Sequence, residues 1–163
     1  MSIYTSNIIQ FFTTPGSGGE LRSPFLDMTK LITVLIAEDN RYMRESLQVL
    51  LSPLENIKLI GEAINGEEAI ALATELNPDI ILMDINMHPV NGFEATRKIL
   101  KDHPAIKIIG LSLHKESSYC KNLLRMGAKG YVTKSSPYEE IILAIQEVAA
   151  GGKYIDKALR ENL

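Results

Sequence analysis

Five side chains able to do chemistry stand at the ends of apolar runs. Glu38 and Asp39 follow Leu31–Ala37, and Asp84 follows Asp79–Met83. Ser112 lies near the end of Ile106–Leu113, and Lys134 follows Gly130–Thr133. Taken singly, most have ordinary explanations. The acidic pair could cap a helix, Ser112 could sit in a turn, and Lys134 could be a solvated loop residue. Asp84, behind Ile80, Ile81, Leu82 and Met83, is harder to dismiss, because a lone carboxylate beside a buried strand is costly unless paired. Three carboxylates against one ammonium leave a negative excess that attracts a divalent cation. All-oxygen ligation suits Mg²⁺, with Mn²⁺ as a substitute. No HxH, HExxH or CxxC spacing points to zinc. A carboxylate beside Mg²⁺ and an ammonium is a natural phosphoryl site: cations neutralise the phosphoryl oxygens while the carboxylate attacks.

The elements that must position these groups alternate. The apolar, branched runs Leu31–Ala37, Ile57–Ala63, Asp79–Met83, Ile106–Leu113 and Gly130–Thr133 read as buried strands. Between them lie helical patterns. Met43, Leu47, Leu50 and Leu51 share a face. Asn65 with Glu68, and Asn91 with Glu94, read as helix starts. Asn77-Pro78 and Pro104 stop those two helices, and Gly127 closes the helix Glu116–Met126. Ser136, Pro137 and Glu139 read as a capping box before a helix carrying Ile141, Ile142, Ile145 and Val148, which stops at Gly151-Gly152. Strands apolar on both faces require helices on both sides. The expected fold class is therefore a doubly wound α/β domain with a five-stranded parallel sheet. In such sheets ligands bind beyond the carboxyl ends of the strands, where the five groups stand.

The 163 residues and their ordinary composition suit one domain with short appendages. We place an N-terminal extension at 1–30, expected to be flexible, with Ile8, Ile9, Phe11 and Phe12 as its one apolar cluster and Met28 as an alternative start. The domain is expected at 31–152, with a C-terminal tail or truncated linker at 153–163. A net charge of −3 argues against binding nucleic acid through a basic surface. The single cysteine, Cys120, excludes an internal disulfide and reads as a packed helix residue. No apolar stretch is long enough to span a bilayer and no signal peptide is visible, so a cytoplasmic protein with no membrane partner is expected.

The ordered segments Val34-Leu35-Ile36-Ala37-Glu38-Asp39-Asn40, Leu82-Met83-Asp84-Ile85-Asn86-Met87, Gly110-Leu111-Ser112 and Gly127-Ala128-Lys129-Gly130-Tyr131-Val132-Thr133-Lys134 resemble a bacterial response-regulator receiver domain of two-component systems. Ile60-Gly61-Glu62-Ala63, Asn65-Gly66-Glu67-Glu68-Ala69 and Gly151-Gly152-Lys153-Tyr154 resemble its NarL/LuxR-type branch. The resemblance covers about Thr33 to Gly152. It implies a flavodoxin-like receiver fold with strand order 2-1-3-4-5. It implies Asp84 as the phospho-accepting residue, Asp39 as a direct Mg²⁺ ligand, Glu38 acting mainly through water, and the carbonyl of Asn86 as a further ligand. Ser112 would donate its hydroxyl to the phosphoryl group, Lys134 would pair with a phosphoryl oxygen, and Tyr131 would be the aromatic switch that turns inward on activation. The implied partners are a sensor histidine kinase or a histidine phosphotransfer protein, and a phosphorylation-dependent homodimer. Members of this branch usually carry a C-terminal helix-turn-helix. The eleven residues after Gly152 are too few for one, so DNA would be a partner only of a longer parent.

Three positions depart from the family pattern. His88 stands where proline is common, Ser135 follows the lysine where proline is frequent, and Leu113 occupies a position that is often small. His88 and His114 read as surface residues. A non-proline cis bond at Lys134–Ser135 would cost about 2.5–4 kcal/mol and is not assumed. Two other functions compete. A phosphate-independent protein-binding module would keep the fold for its surface alone. A small Mg²⁺-dependent phosphatase would need a second acid two residues after its nucleophile, where this chain has Asn86.

Overall fold

The computed structural model describes residues 30–160; the expected extension at 1–30, apart from Lys30, and the last three residues lie outside the described region. Six parallel strands form one sheet in the order β2-β1-β3-β4-β5-β6. They are β1 (Ile32–Ala37), β2 (Ile57–Ala63), β3 (Ile80–Asp84), β4 (Lys107–Ser112), β5 (Gly130–Thr133) and β6 (Tyr154–Ile155). The helices are α1 (Arg41–Leu51), α2 (Gly66–Leu76), α3 (Gly92–Asp102), α4 (Ser117–Arg125), α5 (Tyr138–Ala149) and the short α6 (Lys157–Arg160). The order of the first five strands is the one expected. No described helix is long and apolar enough to cross a membrane.

Burial explains the two-sided sheet. All of β3 is buried, and alternate residues feed two cores. Val34, Ile36, Ile80, Leu82 and Ile109 pack with Leu47 of α1 and Ile141, Ile145 and Val148 of α5. Leu35, Ile81, Met83 and Ile108 pack with Ala69, Ala95, Ile99 and Leu123 of α2, α3 and α4. Each fully buried aliphatic side chain contributes about 1.5–3 kcal/mol, so the central strands anchor the fold.

Helix ends follow the sequence signals at most places. Asn65 and Asn91 each accept a hydrogen bond from the backbone N–H three residues on, at Glu68 and Glu94, 2.9 Å in both cases. Asn77 takes the left-handed conformation at φ 43°, and Gly127 takes φ 106° after α4. Two expectations change. Ser136 is not a helix cap: α5 begins after Pro137 with no side-chain cap bond, because the Ser136 hydroxyl donates to Asp156 instead. And residues 154–160, expected in a tail, add β6 to the sheet edge and place Leu159 in the core at 1% exposure. The alternation Tyr154-Ile155-Asp156 after the Gly-Gly stop buries Tyr154 on one face of the sheet while Ile155 packs against the core on the other.

Candidate functional site

Parallel pairing of β1 with β3 and β3 with β4 brings Ala37, Met83 and Gly110 level across the sheet. The residues that follow these positions must therefore meet at one edge. Glu38, Asp39 and Asp84 each offer a carboxylate oxygen within 4.8 Å of the others. Glu38 is fully buried and Asp84 is 2% exposed, whereas Asp39 is exposed. The acidic pair does not cap α1. Asn40 does, accepting from Met43 N at 3.0 Å, so neither acid is spent on the helix end, and Glu38 Oε1 instead accepts from Asn40 N at 3.1 Å. The loop is fixed from behind by Arg44, whose Nη1 donates to the carbonyls of Glu38 (2.9 Å) and Asp39 (3.0 Å). On the other side, Gly92 at the start of α3 lies against the Asp84 backbone. A Cβ there would come within 2.2 Å of the Asp84 carbonyl oxygen, so only glycine allows α3 to start this close.

Lys134 enters from the end of β5. Its Nζ lies 2.6 Å from Glu38 Oε2 and 3.1 Å from Asp84 Oδ1. Asp84 Oδ1 also accepts from Asn86 N at 3.1 Å, and Oδ2 has no hydrogen-bond partner among the described residues. Apart from the ion pair with Lys134, no hydrogen bond reaches the buried Glu38 Oε2. Burial pushes the Glu38 carboxyl above its ordinary range; the Asp84 charge adds to this, and Lys134 opposes it. These groups line an open cleft of about 440 Å³, together with Tyr42, Met43, Ser46, Asn86 and Leu113. Asn86 is exposed beside it.

Ser112 and Tyr131 lie deeper. Ser112 is buried, and its hydroxyl accepts from His114 N at 2.9 Å rather than touching a carboxylate. Tyr131 is fully buried, with its hydroxyl donating to the His114 carbonyl at 3.0 Å. Burial pushes its phenol up to about 12, while the neighbouring Ser112 hydroxyl pulls the other way. The ring therefore already points inward. The His114 side chain, expected at the surface, is half-buried because its imidazole stacks on Tyr119 at 4.1 Å between ring centroids. His88 is exposed, and Leu113 is 68% exposed at the cleft rim. Cys120 is buried in the core, as expected of a packed helix residue. The cis peptide among the described residues joins His88 to Pro89, and the Lys134–Ser135 bond is trans.

The donor set suits a hard divalent cation. It is all oxygen, and its three carboxylates carry more negative charge than the Lys134 ammonium balances. Sequence reasoning missed Arg44, Asn40 and Asp156. Asn40 stands immediately before the helical pattern and could have been read as its cap. The role of Arg44 depends on contacts to backbone carbonyls, which leave no sequence signal.

Comparison with known proteins gives a consistent result. Residues 34–146 match the response regulator receiver domain family. The response regulator GacA of Pseudomonas viridiflava is 37% identical over 133 residues, spanning 82% of this chain and 62% of that protein. The transcriptional regulatory protein DegU of Brevibacillus brevis is 38% identical over 132 residues, covering 81% of this chain and 56% of that one. This chain therefore spans about three fifths of the length of the curated relatives it matches. A two-component response regulator of the LuxR family from Aurantimonas sp. SI85-9A1 superimposes with a TM-score of 0.78 at 30% identity, covering 81% of this chain and 94% of that one.

Proposed function

The chain belongs to the response regulator receiver family, and from that premise we propose that Asp84 is its phospho-accepting residue and that the acidic cleft catalyses the transfer. The observation that carries this is the state of Asp84. It is a nearly buried carboxylate at the bottom of an open cleft, with one oxygen held by Lys134 and Asn86 and the other unbonded. Such an oxygen is desolvated and oriented, as a nucleophile should be. The phosphoryl donor is the phosphohistidine of a sensor histidine kinase or a histidine phosphotransfer protein. An Asp84 oxygen attacks phosphorus in line, the P–N bond breaks, and the imidazole leaves with its electron pair and takes a proton.

Asp39, Glu38, Asp84 and the Asn86 carbonyl would hold Mg²⁺, or Mn²⁺ in its place. When bound, the ion supplies positive charge to the phosphoryl oxygens. Lys134 already lies within 3.1 Å of Asp84, so its ammonium meets the charge of the acyl phosphate without a long excursion. The Ser112 hydroxyl, held now by His114 N, is the group that exchanges that partner for a phosphoryl oxygen. Drawing Ser112 toward the cleft pulls on the loop that also anchors Tyr131, so phosphorylation reaches the surface of α4, β5 and α5 as a shift between two packings. Hydrolysis of the acyl phosphate by water resets the domain, and Leu113 at the rim restricts that water. The domain is thus a switch that catalyses its own loading and unloading. In a longer parent with a C-terminal helix-turn-helix, its output would be transcription, through a phosphorylation-dependent homodimer in the cytoplasm.

Intact mass after incubation with acetyl phosphate tests this. One labile phosphoryl group is expected on the wild type with Mg²⁺, and none on Asp84→Asn or in the presence of a chelator. An adduct that survives Asp84→Asn would overturn the assignment.

A further inference from the structure

The turn that carries Lys134 is gripped from outside the cleft. Asp156, 1% exposed at the end of β6, accepts four hydrogen bonds through its carboxylate. Oδ2 receives the Thr133 N–H at 2.9 Å, the Thr133 hydroxyl at 3.0 Å and the Ser136 hydroxyl. Oδ1 receives the Ala158 N–H at 2.8 Å. Thr133 and Ser136 flank Lys134. The lysine's own N–H donates to the Ser112 carbonyl at 2.7 Å, and the Asp156 N–H donates to the Tyr131 carbonyl at 2.9 Å. The backbone at Lys134 is therefore set by β4 on one side and by Asp156 on the other, while only its side chain reaches the cleft. Asp156 neither lines the cleft nor contacts its carboxylates. Burial alone would raise its carboxyl, but the hydrogen bonds from Ser136, Thr133 and Ala158 outweigh burial and hold it below the ordinary aspartate value.

We propose that Asp156 is a positioning residue for Lys134: it fixes the β5–α5 turn so that the ammonium reaches Glu38, Asp84 and the phosphoryl group that Asp84 takes. This rests on the function proposed above. It also ties the segment 154–160 to the phosphorylation site. Ile155 pairs with Tyr131 in the sheet, Leu159 fills the core beside it, and Asp156 joins both to the lysine turn. A carboxylate serving only to cap α6 would need the Ala158 bond alone.

A double-mutant cycle separates positioning from general stability. The full chain with Mg²⁺ is titrated with beryllofluoride, a phosphoryl mimic, and followed through backbone amide NMR signals, with a thermal melt of each variant. Asp156→Ala is expected to stay folded and to weaken beryllofluoride binding about tenfold, and this loss should vanish in a Lys134→Ala background. Equal weakening in both backgrounds, or none in either, overturns the proposal. If Asp156→Ala does not fold, Ser136→Ala replaces it in the same cycle, with an expected loss of about threefold and the same deciding outcomes. A wild type that binds no beryllofluoride overturns the phosphoryl reading itself, and the role of Asp156 with it. A wild type that binds, with no Lys134-dependent loss, overturns only the role of Asp156.

Discussion

Glu38 and Asp156 are two buried carboxylates near the same end of one sheet, and the protein treats them in opposite ways. Asp156 is surrounded by donors from its own chain, four hydrogen bonds for two oxygens. Glu38 is equally hidden, yet two more carboxylates crowd it, and only the Lys134 ammonium at Oε2 and the Asn40 N–H at Oε1 offset them. The first arrangement is closed and favours the charged form; the second is open and disfavours it. A closed carboxylate holds structure together. An open one is an unmet demand for positive charge, which is what a cation-binding phosphoryl site requires. The same distinction appears at the opposite end of the sheet, where Asp79 and Thr33 satisfy each other through three hydrogen bonds.

This contrast can be broken by substitution. Asp156→Ala leaves several buried donors without a partner and should cost about 3 kcal/mol in urea unfolding. A loss near zero would show that the network is not a structural one. The stability from Asp156 also depends on pH. Its folded pKa lies below the ordinary value, so the folded state binds fewer protons than the unfolded state just below that value. The contribution is complete above the ordinary carboxylate pKa and is lost as pH falls through the lowered one. The stability gap between wild type and Asp156→Asn should therefore narrow in acid.

Glu38→Gln should do the reverse of Asp156→Ala. In chelator it removes a buried charge from a repulsive cluster, so the melting temperature should rise, by an amount corresponding to about 1–2 kcal/mol. Added Mg²⁺ should then stabilise wild type more than the variant, because a ligand bound only by the folded state raises its stability. A variant less stable than wild type without metal would mean that the Lys134 pair dominates the cluster. The smallest effect is expected at Asn40. Its loss as a cap should cost about 1 kcal/mol, a drop of about 3–5 °C in melting temperature, and loosen the loop behind the acidic pair, seen as lower Mg²⁺ affinity.

Much of this was legible in the residues. Continuous apolar strands can only be buried on both faces, so the layered parallel sheet followed from Val34–Ala37, Ile80–Met83 and Ile108–Leu111. Asn65, Asn91, Asn77 and Gly127 act through local backbone geometry, and their places in the sequence were sufficient to find them. Placing Glu38, Asp39, Asp84 and Lys134 after strand ends was enough to bring them to one edge, because parallel strands align their carboxyl termini.

What only the tertiary structure decided were the contacts between segments far apart in the chain. Ser136 carries a correct capping signal, but a carboxylate twenty residues later takes its hydroxyl, since a charged acceptor outcompetes a neutral backbone contact. The segment 154–160 is too short and too polar to announce a strand. Its first two residues, Tyr154–Ile155, become β6 because β5 presents an open edge, and Lys157–Arg160 forms α6, with Leu159 in the core. Which carboxylate is satisfied and which is left open depends on donors brought together by folding. The chain's own pattern names the acids; the packing around them separates the one that is closed by its own chain's donors from the ones left open, to which we assign the cation and the phosphoryl group.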